Sequence, residues 1–441
     1  MRQSLHACTS SRRAEGYSLI ELIVSLSITI IVLLGLFQIF EKNTEVARIQ
    51  TQVSDMQQSL RVAQNEMTRM IRMAGRGGLQ ELLDNGGAAP LRPALSVQDN
   101  VAANTLAVTG EPESAVVEGT DVLSIRGVFT TPIYQINNTD PTFFTLYDNS
   151  GTPTTNPPSA VSGKIIIRNP SPTGIPQNLQ PLEDAILVDS SPEALIIASP
   201  IDESIYAVVE LDPDNSNVDI PGAQVTVGFV VRNGGTHISD YRDLYQSGTG
   251  LPTLPSALTS VATVGMVEEY RFYVRDPDPD PIPSLAMARV YPNTQVVHGG
   301  AATDAWLDIA DGISELQVAL GFDSDLGPPQ TDINGDGEID VVITETDDGE
   351  DDDWLFNAPG DDPNADPWVP TWDDTVPGRP RRPRLFYVRL NTVARIQTIE
   401  RNYAAPQVQR IENSDLANIN TDAERQFRRN LLQTTIDLRN L

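Results

Sequence analysis

The sequence predicts an α+β chain: a long N-terminal helix, transmembrane and then amphipathic, packed on an elaborated, mainly antiparallel β C-terminal domain. Three observations carry this. A 24-residue apolar run, Tyr17 to Phe40, lies near the N-terminus. An apolar stripe with alternating steps of three and four residues then continues to Ala74. Beyond about residue 90 the apolar period falls to two, and Pro, Gly, Asn and Asp punctuate it.

Composition agrees with that division. The 33 prolines and 30 glycines among 441 residues favour a loop-rich β body. The length suits two or three ordinary domains or one large elaborated one. Net charge is -30, and the lysines are only Lys42 and Lys164. Such a surface excludes nucleic acid as a partner, because phosphates need Lys and Arg. It suits an exported or salt-exposed protein, or one that binds divalent cations.

Residues 1–16 are polar and basic, with Arg2, Arg12 and Arg13. About 20 apolar residues span a bilayer as a helix. Arginines before such a run predict a cytoplasmic N-terminus and an exported body. The run is too long for a secretory signal peptide, and a helical pattern continues straight out of it. Glu21 is its only charge. A carboxylate costs roughly 2.5–3.5 kcal/mol at the centre of a spanning helix. Glu21 therefore lies shallow, near the headgroups, or has a partner.

The string Gly16-Tyr17-Ser18-Leu19-Ile20-Glu21-Leu22-Ile23 resembles the type IV prepilin signature: Gly, an aromatic residue, Ser or Thr, Leu, an aliphatic residue, then Glu. Tyr17 stands where Phe is commoner, and Glu15 precedes the glycine. The resemblance implies a pilin-like fold and a specific processing. A prepilin peptidase/methyltransferase cleaves between Gly16 and Tyr17 and methylates the new N-terminus at Tyr17. Glu21 then pairs with the N-terminal amine of a neighbouring subunit during assembly. On this reading 1–16 is a cleaved leader, 17–40 the transmembrane and assembly helix, 41–75 an amphipathic helix and 76–441 the exported domain. The single cysteine, Cys8, leaves with the leader, so disulfides contribute nothing to the mature chain.

The stripe runs Val46, Ile49, Val53, Met56, Leu60, Ala63, Met67, Met70, Ala74, and Gly75, Gly77 and Gly78 stop the helix. It suits a coiled coil or packing on the chain's own β domain; the resemblance favours the second. Strands are expected at 121–126, 164–168, 185–188, 194–198, 206–211, 224–231, 268–275, 284–291, 314–321, 385–396 and 431–438. The pair 268–275 and 284–291 reads as a hairpin with a rigid Asp-Pro loop. Residues 131–160 and 345–380 read as insertions.

Three further stretches resemble the PilW-type minor pilins: Thr120 to Arg126, Ala310 to Val318, and Arg428-Arg429 followed by Leu431 to Asn440. That resemblance implies a subunit that primes pilus assembly or sits at the tip, in adhesion and twitching motility. A minor pseudopilin of a type II secretion system shares the leader and is the alternative; the large insertions favour the pilus. The implied partners are other major and minor pilins, through the N-terminal helix, the peptidase and the inner membrane, with a tip adhesin as a further one. The implied route is a single-pass inner-membrane precursor with a periplasmic body, then the pilus fibre on the cell surface.

Asp332-Ile333-Asn334-Gly335-Asp336-Gly337-Glu338-Ile339-Asp340 has the spacing of a calcium loop. Asp332, Asn334, Asp336 and Asp340 offer side-chain oxygens, Glu338 a backbone carbonyl, and Gly337 permits the sharp turn. The twelfth position is Ile343, where an EF-hand has a bidentate Glu, so a helix–loop–helix sensor is excluded. Calcium is the expected cofactor; a solvated acidic turn is the competing reading. Trp354, Trp368 and Trp372 stand among the acids and prolines that follow. No catalytic constellation is legible: His237 and His298 lie outside any ligand or nucleophile spacing. The chain is expected not to be an enzyme.

Overall fold

The computed structural model describes residues 18–79, 83–84, 94–102, 105–107, 115–136, 143–148, 150–154, 160–168, 182, 194–198, 206–219, 224–230, 263–275, 282–291, 306–323, 354–355, 371–372, 384–400, 403–408, 411–412, 414, 416 and 418–438. The chain divides into two compact units, Met1–Asp55 and Met56–Leu441. Helix α1 runs Leu19–Ile71. The strands are β1 Leu83–Asp84, β2 Leu95–Gln98, β3 Val122–Gly127, β4 Tyr134–Gln135, β5 Phe144–Asp148, β6 Pro153–Thr154, β7 Ala160–Arg168, β8 Ala194–Ala198, β9 Tyr206–Asp219 and β10 Gln224–Val230. They continue with β11 Thr263–Met266, β12 Glu268–Arg275, β13 Ser284–Tyr291, β14 Trp306–Asp311, β15 Ile313–Asp323, β16 Trp354–Leu355, β17 Thr371–Trp372, β18 Arg384–Arg395 and β19 Arg429–Asp437.

In the first unit the apolar side chains from Leu19 to Phe40 are exposed, and the helix is long and apolar enough to cross a membrane. Its hydroxyls are satisfied within the helix. Ser25 donates to Leu22 O at 3.0 Å, Ser27 to Ile23 O at 2.8 Å and Thr29 to Ser25 O at 2.7 Å. None of these three hydroxyls is left unbonded on the apolar surface of the helix.

In the second unit the stripe is buried as its spacing predicts: Met56, Leu60, Ala63, Met67, Met70 and Ala74 all lie in the core. Each large side chain so buried contributes about 1.5–3 kcal/mol. Gln64 is buried with them, although the pattern gives it no core role. Its Nε2 donates to Leu432 O at 2.9 Å and to Thr392 Oγ1 at 3.3 Å, and Thr434 Oγ1 donates to its Oε1. A buried amide with all these partners fixes the helix against β18 and β19. The helix ends at Ile71, and Gly75, Gly77 and Gly78 follow at φ 75°, 103° and 95°. Only glycine takes these angles without strain. A side chain at Gly77 would also strike Val128, and one at Gly78 Ala198. Gly75 N–H donates to Arg126 O at 2.9 Å, and Val128 N–H to Arg76 O at 2.8 Å.

Among the described residues, three antiparallel sheets make the body. The largest has eight strands in the order β4-β11-β8-β9-β10-β7-β5-β6. A second has five, β14-β13-β12-β3-β2, and a third four, β16-β15-β18-β19. A two-stranded parallel pair, β1-β17, joins Leu83–Asp84 to Thr371–Trp372. The eight-stranded sheet buries Ile165, Ile167, Leu195, Ile197, Val227 and Phe229 in one cluster. Antiparallel β folding here follows from short β-branched strands and abundant turn residues.

The architecture is α+β, as expected, and the 268–275/284–291 hairpin forms with Arg275 opposite Ser284. Residues 131–160, read from the sequence as an insertion, include β4, β5 and β6, which pair within the eight-stranded sheet. One expectation needs correction. The strand expected at 206–211 runs on to Asp219, because Pro213 falls in a bulge opposite Thr226–Gly228 where the ladder is already interrupted. The stretch 310–318 spans two elements: β14 ends at Asp311, Gly312 turns at φ 78°, and β15 begins in another sheet. The strand expected at 185–188 lies outside the described residues.

Candidate functional site

Of the assembly residues, Gly16 and Tyr17 lie outside the described residues and Glu21 lies within them. Glu21 is in the first turn of α1. Its Oε2 accepts the Ser18 N–H at 3.2 Å, and its own N–H donates to Ser18 Oγ at 3.2 Å. These reciprocal bonds form a capping box, which closes the helix start and satisfies two otherwise orphan donors. The carboxylate also sits where the helix dipole favours negative charge. Ser18 is thus a partner of Glu21 that the cost of the charge alone does not reveal. Its signal is present in the sequence: Ser-x-x-Glu directly ahead of an apolar run.

The loop residues Asp332, Asn334, Asp336, Glu338 and Asp340 lie outside the described residues, as do His237 and His298. Among the described residues no group of three or more His, Cys, Asp or Glu is placed to hold a metal ion.

The body instead concentrates buried acids where sheets meet, which strand alternation did not reveal. Asp121 precedes β3 and is fully buried. Its Oδ2 accepts the Val318 N–H at 2.7 Å, its Oδ1 the Asn100 N–H at 3.0 Å, and its own N–H donates to Leu316 O at 3.0 Å. One residue thereby joins the five-stranded sheet to β15 of the four-stranded sheet. Burial raises the Asp121 carboxyl well above its usual range, and the neighbouring Asp99 adds to the rise. Glu315, next to Leu316 on β15, is also fully buried and accepts from Gln317 Nε2 at 2.9 Å and Asn418 Nδ2 at 2.8 Å. Burial pushes it up to about 8. Gln317 Nε2 also donates to Gly119 O at 3.0 Å.

A second buried network surrounds Glu268 and Glu269. Arg126 Nε donates to Glu269 Oε2 at 2.8 Å, and Arg271 Nε to Glu269 Oε1 at 3.0 Å. Glu268 Oε1 accepts from the N–H groups of Phe129 and Thr130 and from Thr130 Oγ1, while the Tyr270 hydroxyl donates to Oε2. These acids face backbone donors, amides and arginines, so their chemistry here is structural: they fix strands and loops to one another.

No protein-family model matches the sequence, and no curated protein or solved structure matches it either. Fold and site together define an α+β protein with one long apolar N-terminal helix followed by a mainly antiparallel β domain. Near the N-terminus this helix is long and apolar enough to span a membrane, which is consistent with a membrane anchor and equally with a signal sequence.

Proposed function

We propose that this chain is a minor pilin of a type IV pilus, of the PilW type, which primes assembly or sits at the tip. The observation that carries the reading is the prepilin-like string ending in Glu21 at the head of a 53-residue helix. In this reading the peptidase cuts after Gly16, Tyr17 is methylated, and the helix anchors the precursor in the inner membrane. The capping box then has a role. It holds the Glu21 carboxylate within its own helix until the amine of a neighbouring pilin replaces the Ser18 contact.

The test separates processing from assembly. Gly16→Leu fills a site where a side chain blocks cleavage, so the uncut precursor should accumulate in the inner membrane, read by N-terminal sequencing. Glu21→Val should be inserted and cut normally, since removing a charge eases insertion, yet be missing from sheared fibres. A mature chain beginning at Tyr17 in the Gly16→Leu strain, or wild-type amounts of Glu21→Val in fibres, would overturn the reading.

Calcium is a separate part of the proposal, carried by the spacing of Asp332, Asn334, Asp336, Glu338 and Asp340. A ligand specific to the folded state adds about 2.7 kcal/mol at about a hundredfold excess over its Kd. The detergent-solubilised chain should therefore melt at higher temperature with calcium than with chelator. Magnesium should do less, because it demands a tighter shell. Asp332→Ala with Asp336→Ala should erase the difference; equal melting of the wild type with calcium and chelator removes calcium from the account.

A further inference from the structure

Open sheets have edges, and this body protects most of its own. Among the described strands, β4, β6 and β16 have two residues each and β2 has four. Edge strand β14 has six, carries Asp308 and Asp311, and pairs with β13 through a register shift. Short, charged or irregular edges resist pairing with another chain. β19 is neither short nor irregular, and its charges, Arg429 and Asp437, stand only at its two ends. It is a terminal strand of nine residues, paired with β18 through nine unbroken positions. It contains no proline or lysine, and Asn430 to Ile436 is uncharged.

The hydrogen-bond phase of this edge follows from one contact. Ile396 N–H donates to Arg428 O at 3.0 Å, which extends the β18–β19 register by one pair. Antiparallel pairs alternate between bonded and non-bonded. The residues between the bonded ones, Arg429, Leu431, Gln433 and Thr435, thus turn their N–H and C=O groups outward. The Leu431 side chain is 45% exposed on the same strand.

We propose that β19 is an interaction edge whose occupant is β19 of a second copy of this chain, paired antiparallel about Gln433. The inference is independent of the pilin reading. The strand is self-complementary in that register: Gln433 meets itself, Leu431 meets Thr435, and Arg429 meets Asp437. The phase also matches, because outward-facing backbone groups on one strand meet outward-facing groups on the other. The charges select the direction. A parallel pairing in register opposes Arg429 to Arg429, and like charges directly opposite are destabilising. Arg429 adds a further reason. Its guanidinium nitrogens are buried without a hydrogen-bond partner, with Glu424 as its ion-pair contact at 3.6 Å. The antiparallel register brings a carboxylate to that end of the strand.

The register makes the test specific. In a Cys8→Ser background of the full-length chain, in detergent and in native membranes, Gln433→Cys places two thiols on the two-fold axis. A hydrogen-bonded pair has Cα atoms about 5.5 Å apart, within disulfide reach. Thr435→Cys places the thiols four residues apart along the strands, about 13 Å, which is out of reach. Under a mild oxidant Gln433→Cys should become a covalent dimer and Thr435→Cys should stay monomeric. Mixing Thr435→Cys with Leu431→Cys should restore the dimer. Gln433→Pro removes an outward N–H and leaves the β18 ladder whole, so circular dichroism should be unchanged while the non-covalent dimer is lost by native mass spectrometry. Failure of Gln433→Cys to cross-link, equal cross-linking of Thr435→Cys, or a dimer that survives a folded Gln433→Pro each overturns the proposal.

Discussion

Glu315→Gln should stabilise the folded chain above about pH 8 by about 5 kcal/mol relative to wild type, with little effect near pH 4. Burial raises the Glu315 carboxyl from its ordinary value of 4.5 to about 8. A group whose folded pKa is raised contributes stability that is fully present below the unfolded value and lost as pH rises through the folded one. The window of loss therefore runs from about 4.5 to about 8. Each tenfold weakening of the acid corresponds to about 1.4 kcal/mol, which sets the magnitude. The glutamine cannot ionise; its one amide oxygen accepts from either Gln317 or Asn418, and its NH2 group replaces the second acceptor. Its new N–H donors face a site where Gln317 Oε1 is buried without a hydrogen-bond partner. Chemical denaturation of both proteins at about pH 5 and pH 9 measures the effect. Asp121 shifts in the same direction, so some pH dependence should persist in the variant. A wild-type-to-variant difference that does not change with pH would refute the assignment.

The hidden position of Glu315 shows why this part of the body escaped sequence reading. In β15, Leu316, Val318 and Leu320 alternate with Glu315 and Gln317, which is the pattern of a strand with one wet face. Yet both sets are buried, because Gly119 and Asn418 cover the polar side. Alternation reports chemical character; which neighbour covers a face is set by contacts remote in sequence. The same limit hid the switch at Val267. β11 and β12 are separated by that one residue, but they belong to different sheets. Two strand-forming stretches separated by one residue do not show where a chain changes partner. By contrast, α1 was legible almost to the residue from Met56 onward, because helical spacing and the glycine stop depend on local geometry alone. Glu21 was singled out by the cost of a charge in an apolar run, and its Ser18 partner was legible only as a capping pattern. The calcium loop was read entirely from local spacing and lies beyond the described residues.

Arg126→Met should destabilise the body by about 3–5 kcal/mol, toward the lower figure, because it strands the Glu269 carboxylate in the core. Arg126 and Glu269 have side chains 3% and 2% exposed, so water cannot replace the lost partner. Arg271 remains bonded to Glu269, which softens the loss. Arg126 also donates Nη1 to Ser96 Oγ at 3.0 Å, and that bond disappears as well. Its main chain is untouched: Gly75 N–H still reaches Arg126 O, so the glycine turn after α1 keeps its anchor on β3. The double variant Arg126→Met/Glu269→Leu removes the stranded charge together with its partner. A buried pair replaced by apolar side chains of similar volume is often near neutral. The double variant should therefore be more stable than Arg126→Met alone, although Arg271 then loses its Glu269 acceptor and keeps its bond to Ala107 O. Urea denaturation of the wild type, both single variants and the double variant gives the coupling directly. Strictly additive losses would show that Arg126 and Glu269 do not act as a pair, and that the junction between the helix turn and the five-stranded sheet is held by the backbone bonds alone.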